Sequence, residues 1–191
     1  MVEVTVEVLN TLDEIKEILF GVGYKIIEEY DMNDWYYSRL SNKELLKIPY
    51  IEIINNSFIV REVIEDGKYN LHLCYKSKTV DENGVVVAEG ESVSPLLYRD
   101  ATLKLFNNAG INNWCEVKTH LVIFDNGINQ FAIQQVVDLG IFLEYESDKD
   151  EIDDPYLEIE ELKRYIKKTG LKLGDNYSEK KVYRKFLKEN K

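Results

Sequence analysis

Residues 115–146 read CEVKTHLVIFDNGINQFAIQQVVDLGIFLEYE, and this stretch decides the fold. Its runs CEVKTHLVIF, FAIQQVV and IFLEYES (the last reaching Ser147) have strand character, and Asp125-Asn126-Gly127 between the first two is a turn signal. Because side chains alternate along a strand, Glu144 and Glu146 fall on one face. On the first strand the same rule groups Glu116, Lys118 and His120.

Working outward, the opening MVEVTVEV alternates strictly, with Val2, Val4, Val6 and Val8 on one side and Glu3, Thr5 and Glu7 on the other. Thr11 followed by Glu14 makes a capping box for a helix over LDEIKEILF, which Gly21 and Gly23 end. Extended segments follow at YKIIEEY, NDWYYS, FIVREVI, YNLHLCYK and VVVAEGESV, with turn signals at EDGK and DENG. YRDATLKLFNNAG reads as a helix stopped at Gly110 and separates this group of strands from 115–146. After the acidic run SDKDEIDDP, the stretches YLEIEELKRYIKKTG and SEKKVYRKFLKEN pattern as helices. Many strands with few helices and one polar side per strand imply an α+β chain, residues 1–191, forming a single domain. Its antiparallel sheet is expected to form a closed or nearly closed β-barrel with flanking helices. Periodicity alone leaves open whether the polar side faces solvent or an interior.

Composition narrows the function. With 35 acidic against 24 basic residues the net charge is −11, which repels nucleic-acid backbones and anionic lipid. No nucleic acid and no membrane are expected as partners. The opening residues have neither a basic stretch nor a long apolar core, so a cytoplasmic protein is expected. Cys74 and Cys115 lack metal-ligand spacing and read as reduced thiols, and His72 and His120 form no local zinc motif. SDKDEIDD lacks the spacing and central glycine of a calcium loop and reads as a solvated linker. Trp35, Tyr36 and Tyr37 read as strand packing rather than as a stacking platform.

The stretch 115–146, with Leu139-Gly140 leading into Glu144-x-Glu146, resembles the C-terminal half of CYTH domains, the triphosphate tunnel family of class IV adenylate cyclase and thiamine triphosphatase. The resemblance continues in order along the chain. An acidic first strand, Asp34-Trp-Tyr-Tyr, Arg61 near EDGKYNLHLCYK, Glu89 and Glu91 carry it, as does the closing LKLGDNYSEKKVYRKFL. It implies a tunnel barrel in which carboxylates hold Mg²⁺ or Mn²⁺ and basic side chains grip a triphosphate or another small phosphate-containing molecule. Hard divalent ions prefer carboxylate oxygens, and guanidinium and ammonium groups match phosphate charge.

Carried over by position, the resemblance implies metal at Glu3, Glu144 and Glu146 and phosphate at Arg61, Lys76 and Lys118. It places Glu7, Glu89, Glu91, Glu116, His120 and Gln134 along the tunnel. The chain departs from the pattern at Thr5 and Glu7, where Glu-x-Glu-x-Lys would put an acid and a lysine. It also departs at Ile59 and His120, where basic residues are usual, and at Gln134, where an aspartate is common. Acid therefore dominates the implied interior. Three readings follow: binding and hydrolysis of a triphosphate or organic phosphate with divalent metal, a non-catalytic ligand-binding or interaction protein on the same barrel, and adenylate cyclisation. A small cation is the alternative ligand for so acidic an interior.

Overall fold

The structure is a computed structural model that describes residues 2–80, 86–149 and 152–190, excluding the side chains of residues 80 and 86–89. In chain order the elements are β1 (Glu3–Val8), α1 (Leu12–Gly21), β2 (Lys25–Ser38), α2 (Asn42–Leu45), α3 (Tyr50–Asn55), β3 (Ser57–Glu65) and β4 (Lys68–Val80). There follow β5 (Val86–Pro95), α4 (Arg99–Asn108), β6 (Asn112–Asp125), β7 (Gln130–Val136), β8 (Gly140–Glu146), α5 (Pro155–Lys167) and α6 (Lys181–Glu189). The two short segments read at YKIIEEY and NDWYYS are one continuous strand, β2. The sequence pattern predicts no element over 42–55, where Ser41 and Glu44 form a capping box for α2 and Pro49 precedes α3. The turn signal DENG lies outside the described residues.

The strands form one eight-stranded sheet in the order β1-β8-β7-β6-β2-β3-β4-β5, antiparallel as expected. The order ends at β1 and β5, so hydrogen bonds do not close the sheet among the described residues, and the nearly closed alternative is the one that agrees. Asp66 and Gly67, both at positive φ (49° and 74°), turn β3 into β4 with the hand that matches strand twist. The outer edge of β1 is covered by residues 172–179. Leu9 N–H donates to the Lys172 carbonyl, Gly174 N–H to Glu7 and Glu179 N–H to Thr5. An edge satisfied in this way offers no open ladder to another chain.

The chain divides into two compact units. Unit 1 contains residues 1–30 and 119–181, and unit 2 contains residues 31–118 and 182–191. In unit 1 the alternation of the first strand is realised: Val2, Val4, Val6 and Val8 are all buried against Phe131, Ile133, Leu143 and Tyr145. Each such side chain stabilises by about 1.5–3 kcal/mol relative to exposure. The Thr11/Glu14 capping box starts α1, which buries Ile15 and Leu19. Asp154 caps α5, with Pro155 in its first turn, and the helix buries Leu162 and Ile166.

In unit 2, Tyr36 and Tyr37 are buried, and Trp35 carries the Arg99 guanidinium 4.1 Å above its ring. Trp114 donates its indole N–H to Ser57 Oγ at 3.1 Å and meets Phe186 of α6 edge-on, with ring centroids 5.1 Å apart. Trp35, Tyr36 and Tyr37 thus pack, as their strand context implied.

Candidate functional site

In unit 1 the ladders sort the charged positions. Glu3 lies opposite Glu146, Thr5 opposite Glu144 and Glu7 opposite Phe142, while β7 places Ala132 opposite Glu144 and Gln134 opposite Phe142. Paired residues in an antiparallel ladder share a face. Glu3, Thr5, Glu7, Gln134, Glu144 and Glu146 therefore occupy one face, and the buried valines occupy the other.

Sharing a face does not make these groups a metal cage. Among the described residues, no three His, Cys, Asp or Glu side chains form a group that could hold a metal ion. Glu3 accepts the Thr5 hydroxyl at 2.9 Å. Glu144 Oε2 accepts both the Gln134 amide and the Lys181 ammonium, and Lys181 also donates to Gln134 Oε1 at 2.6 Å. An ammonium group is thus already in contact with the central candidate ligand. As arranged, the donor set fits a lysine rather than Mg²⁺ or Mn²⁺, which need several convergent oxygens.

Gly140, at φ +141°, lies where a Cβ would come within 3.1 Å of Glu7 Oε1, so the Leu139-Gly140 turn makes room for that carboxylate. His120 is not brought to this face. Leu121 is the residue opposite Gln134, so alternation turns His120, opposite Gln135, the other way. Its Nε2 lies 3.0 Å from Glu29 Oε1, which Lys16 also approaches at 3.2 Å. Burial raises the Glu29 pKa, but the hydrogen bonds from Lys16 and His120 outweigh it and hold the carboxyl below its usual value.

In unit 2, β2, β3 and β4 align Asp34, Arg61 and His72 across three strands. Arg61 donates from Nε and an Nη to the two Asp34 carboxylate oxygens, both at 2.8 Å, with the Asp34 side chain 5% exposed. This is a planar fork in which each partner satisfies the other. Burial would lower the Arg61 pKa, but the Asp34 hydrogen bonds and charge outweigh it and hold the guanidinium above its ordinary value. Arg61 also lies 3.7 Å from Glu91, whose second oxygen is 3.9 Å from Lys76. Glu91 thus stands as an anion between two cations.

On the same face, His72 Nδ1 is buried without a hydrogen-bond partner, and burial pushes the Cys74 thiol pKa up. Lys118 and Glu116 form an exposed pair of their own at 3.3 Å. The Glu89 side chain lies outside the described residues.

Two residues decisive for these arrangements were not assigned from the sequence. Asp34 was visible only as part of Asp-Trp-Tyr-Tyr, and its partnership with Arg61 depends on the β2–β3 register. Lys181 belongs to the closing helical segment, 37 residues beyond Glu144, and no local pattern joins the two.

No protein-family model matches the chain, and no curated protein matches it by sequence. Solved structures do. The PH1819 protein of Pyrococcus horikoshii OT3 superposes with a TM-score of 0.73 at 19% identity, over 100% of this chain and 99% of that one. A candidate adenylate cyclase from Vibrio parahaemolyticus gives 0.65 at 17%, over 98% and 97%. A candidate adenylyl cyclase from Hippeastrum, described as having a dominant triphosphatase activity, gives 0.59 at 10%, over 98% and 95%. Likeness over nearly the whole of each chain, at identities this low, establishes architecture rather than activity. Together with the motifs that run in order from Glu3 to Glu146, it shows that this chain has the CYTH fold.

Proposed function

We propose that this protein binds a small phosphate-bearing molecule in unit 2, at the position the Glu91 carboxylate holds between Arg61 and Lys76, without efficient hydrolysis of triphosphates. The observation that carries this reading is the pair of long contacts, 3.7 and 3.9 Å, from one acidic side chain to cations on two strands. Distances of this length fall outside the usual range of charge-assisted hydrogen bonds, so Glu91 is weakly held and a phosphate oxygen can take its place. Arg61, fixed by Asp34, is a rigid donor already oriented, and Lys76 is the adaptable partner. A chain of net charge −11 favours a small anion that fits one local pair of cations over an extended polyanion.

Hydrolysis is a different demand. Tripolyphosphate cleavage needs compensation along the whole anion and an activated water. Arg61 is neutralised by Asp34, Lys118 faces Glu116, and Glu144 holds Lys181, so each of these charges is already compensated within the chain. The relatives described as cyclases or as a triphosphatase lend the fold and the ligand class to this proposal, not the turnover.

Calorimetric titration with inorganic phosphate and tripolyphosphate tests it, alongside phosphate release from tripolyphosphate, ATP and thiamine triphosphate. The natural chain is expected to bind. Glu91→Gln removes the internal competitor and should tighten binding by roughly 5–10-fold, about 1 kcal/mol, and Lys76→Met should weaken it by a similar factor. Absence of binding by both the natural chain and Glu91→Gln at millimolar ligand would sink the proposal. Robust metal-dependent turnover by the natural chain, lost in Glu144→Ala/Glu146→Ala, would show that catalysis survives.

A further inference from the structure

We infer that Lys181 is a resident counter-cation of the acidic face in unit 1, held on Glu144 in place of the divalent ion that the resemblance implies there. The inference stands on unit 1 alone and does not depend on the phosphate proposal.

Glu144 and Gln134 lie on neighbouring strands of one face, with Glu3, Thr5, Glu7 and Glu146 beside them. Carboxylates gathered on one sheet face repel unless protons or cations compensate them. Lys181 supplies such a cation from the chain itself. Its ammonium donates to Glu144 Oε2 and to Gln134 Oε1, and the Gln134 amide donates to the same Glu144 oxygen, which closes a three-membered network. The side chains of Lys181 and Glu144 are only 16% and 22% exposed, so bulk water screens the pair weakly. Lys181 is also anchored. The segment just before it, 172–179, is hydrogen-bonded along the outer edge of β1, the strand that carries Glu3, Thr5 and Glu7. The backbone delivers the ammonium, so no solute cation needs to be captured and no association entropy is lost. A divalent ion approaching Glu144 must first displace a tethered competitor.

The test is binding of Mn²⁺ alone, followed by electron paramagnetic resonance of the free ion, to the natural chain, Lys181→Arg, Lys181→Met and Lys181→Met/Glu144→Gln. Thermal melting confirms that each variant is folded. The natural chain and Lys181→Arg should show no saturable site at millimolar Mn²⁺. Lys181→Met should gain one, at least about tenfold tighter than any residual binding, and Glu144→Gln should remove it. Saturable binding by the natural chain equal to that of Lys181→Met would overturn the inference, as would no gain in folded Lys181→Met. If Lys181→Met does not fold, acetylation of the natural chain followed by mass spectrometry decides. Lys181 should react about tenfold slower than exposed Lys118, and Glu144→Ala, which removes the acceptor, should abolish that protection; equal rates in the natural chain would refute a held ammonium.

Discussion

The two units meet the same electrostatic problem with opposite signs. Unit 1 gathers carboxylates on one strand face and compensates the central one with a lysine from a distant part of the chain. Unit 2 gathers cations on strand faces and compensates them with Asp34, buried, and Glu91, exposed. The difference lies in depth. Asp34 and Arg61 form a two-pronged pair with the acid almost wholly out of solvent, whereas Glu144 and Lys181 keep some water access. Residue types placed in family order therefore say which charges are present but not which are available. Availability depends on the partner each charge has found.

Three variants probe that contrast. The largest effect belongs to Asp34→Ala, which leaves the Arg61 guanidinium largely buried without its fork. Removing one partner of a buried pair costs about 3–5 kcal/mol, so urea denaturation should show a marked loss of stability. Glu144→Gln in unit 1 is milder, because the amide still accepts from Lys181 and the site is partly solvated. A cost of about 1–2 kcal/mol is expected in the same assay. A loss in Glu144→Gln as large as that in Asp34→Ala would erase the distinction drawn between the two units.

The smallest effect is pH-dependent. Burial would raise the Glu158 pKa, but hydrogen bonds from Lys149 and Ser147 outweigh it and hold it below 4.5. A depressed folded-state pKa contributes stability above the unfolded value of about 4.5, and that stability is lost as pH falls from there through the folded value. Because Lys149 is about half exposed, solvent screening keeps the contribution small. Denaturation midpoints at pH 6 and pH 3 should differ more for the natural chain than for Glu158→Gln, and equal differences would remove Glu158 from the acid response.

Much of the architecture was legible because local periodicity carries it. The alternating valines of 2–8 announced a one-sided strand, Thr11 and Glu14 announced the start of α1, and each extended segment read outside 24–38 became its own strand. The join of YKIIEEY to NDWYYS was not legible, because Asp31 and Asn33 lower strand propensity while pairing with Ile64 and Glu62 secures the strand. The site followed the same division. Alternation placed Glu144 with Glu146 and Glu3 with Glu7 on shared strand faces, since a strand's faces depend only on residue parity.

What the sequence by itself determined, then, is the set of elements and the sign of charge along each strand face. Only the tertiary structure decided that His120 turns away from Gln134, that Asp34 grips Arg61 and that Lys181 rests on Glu144. Those outcomes depend on the β6–β7 ladder register and on contacts across 27 and 37 residues, and no window of neighbouring residues contains the information.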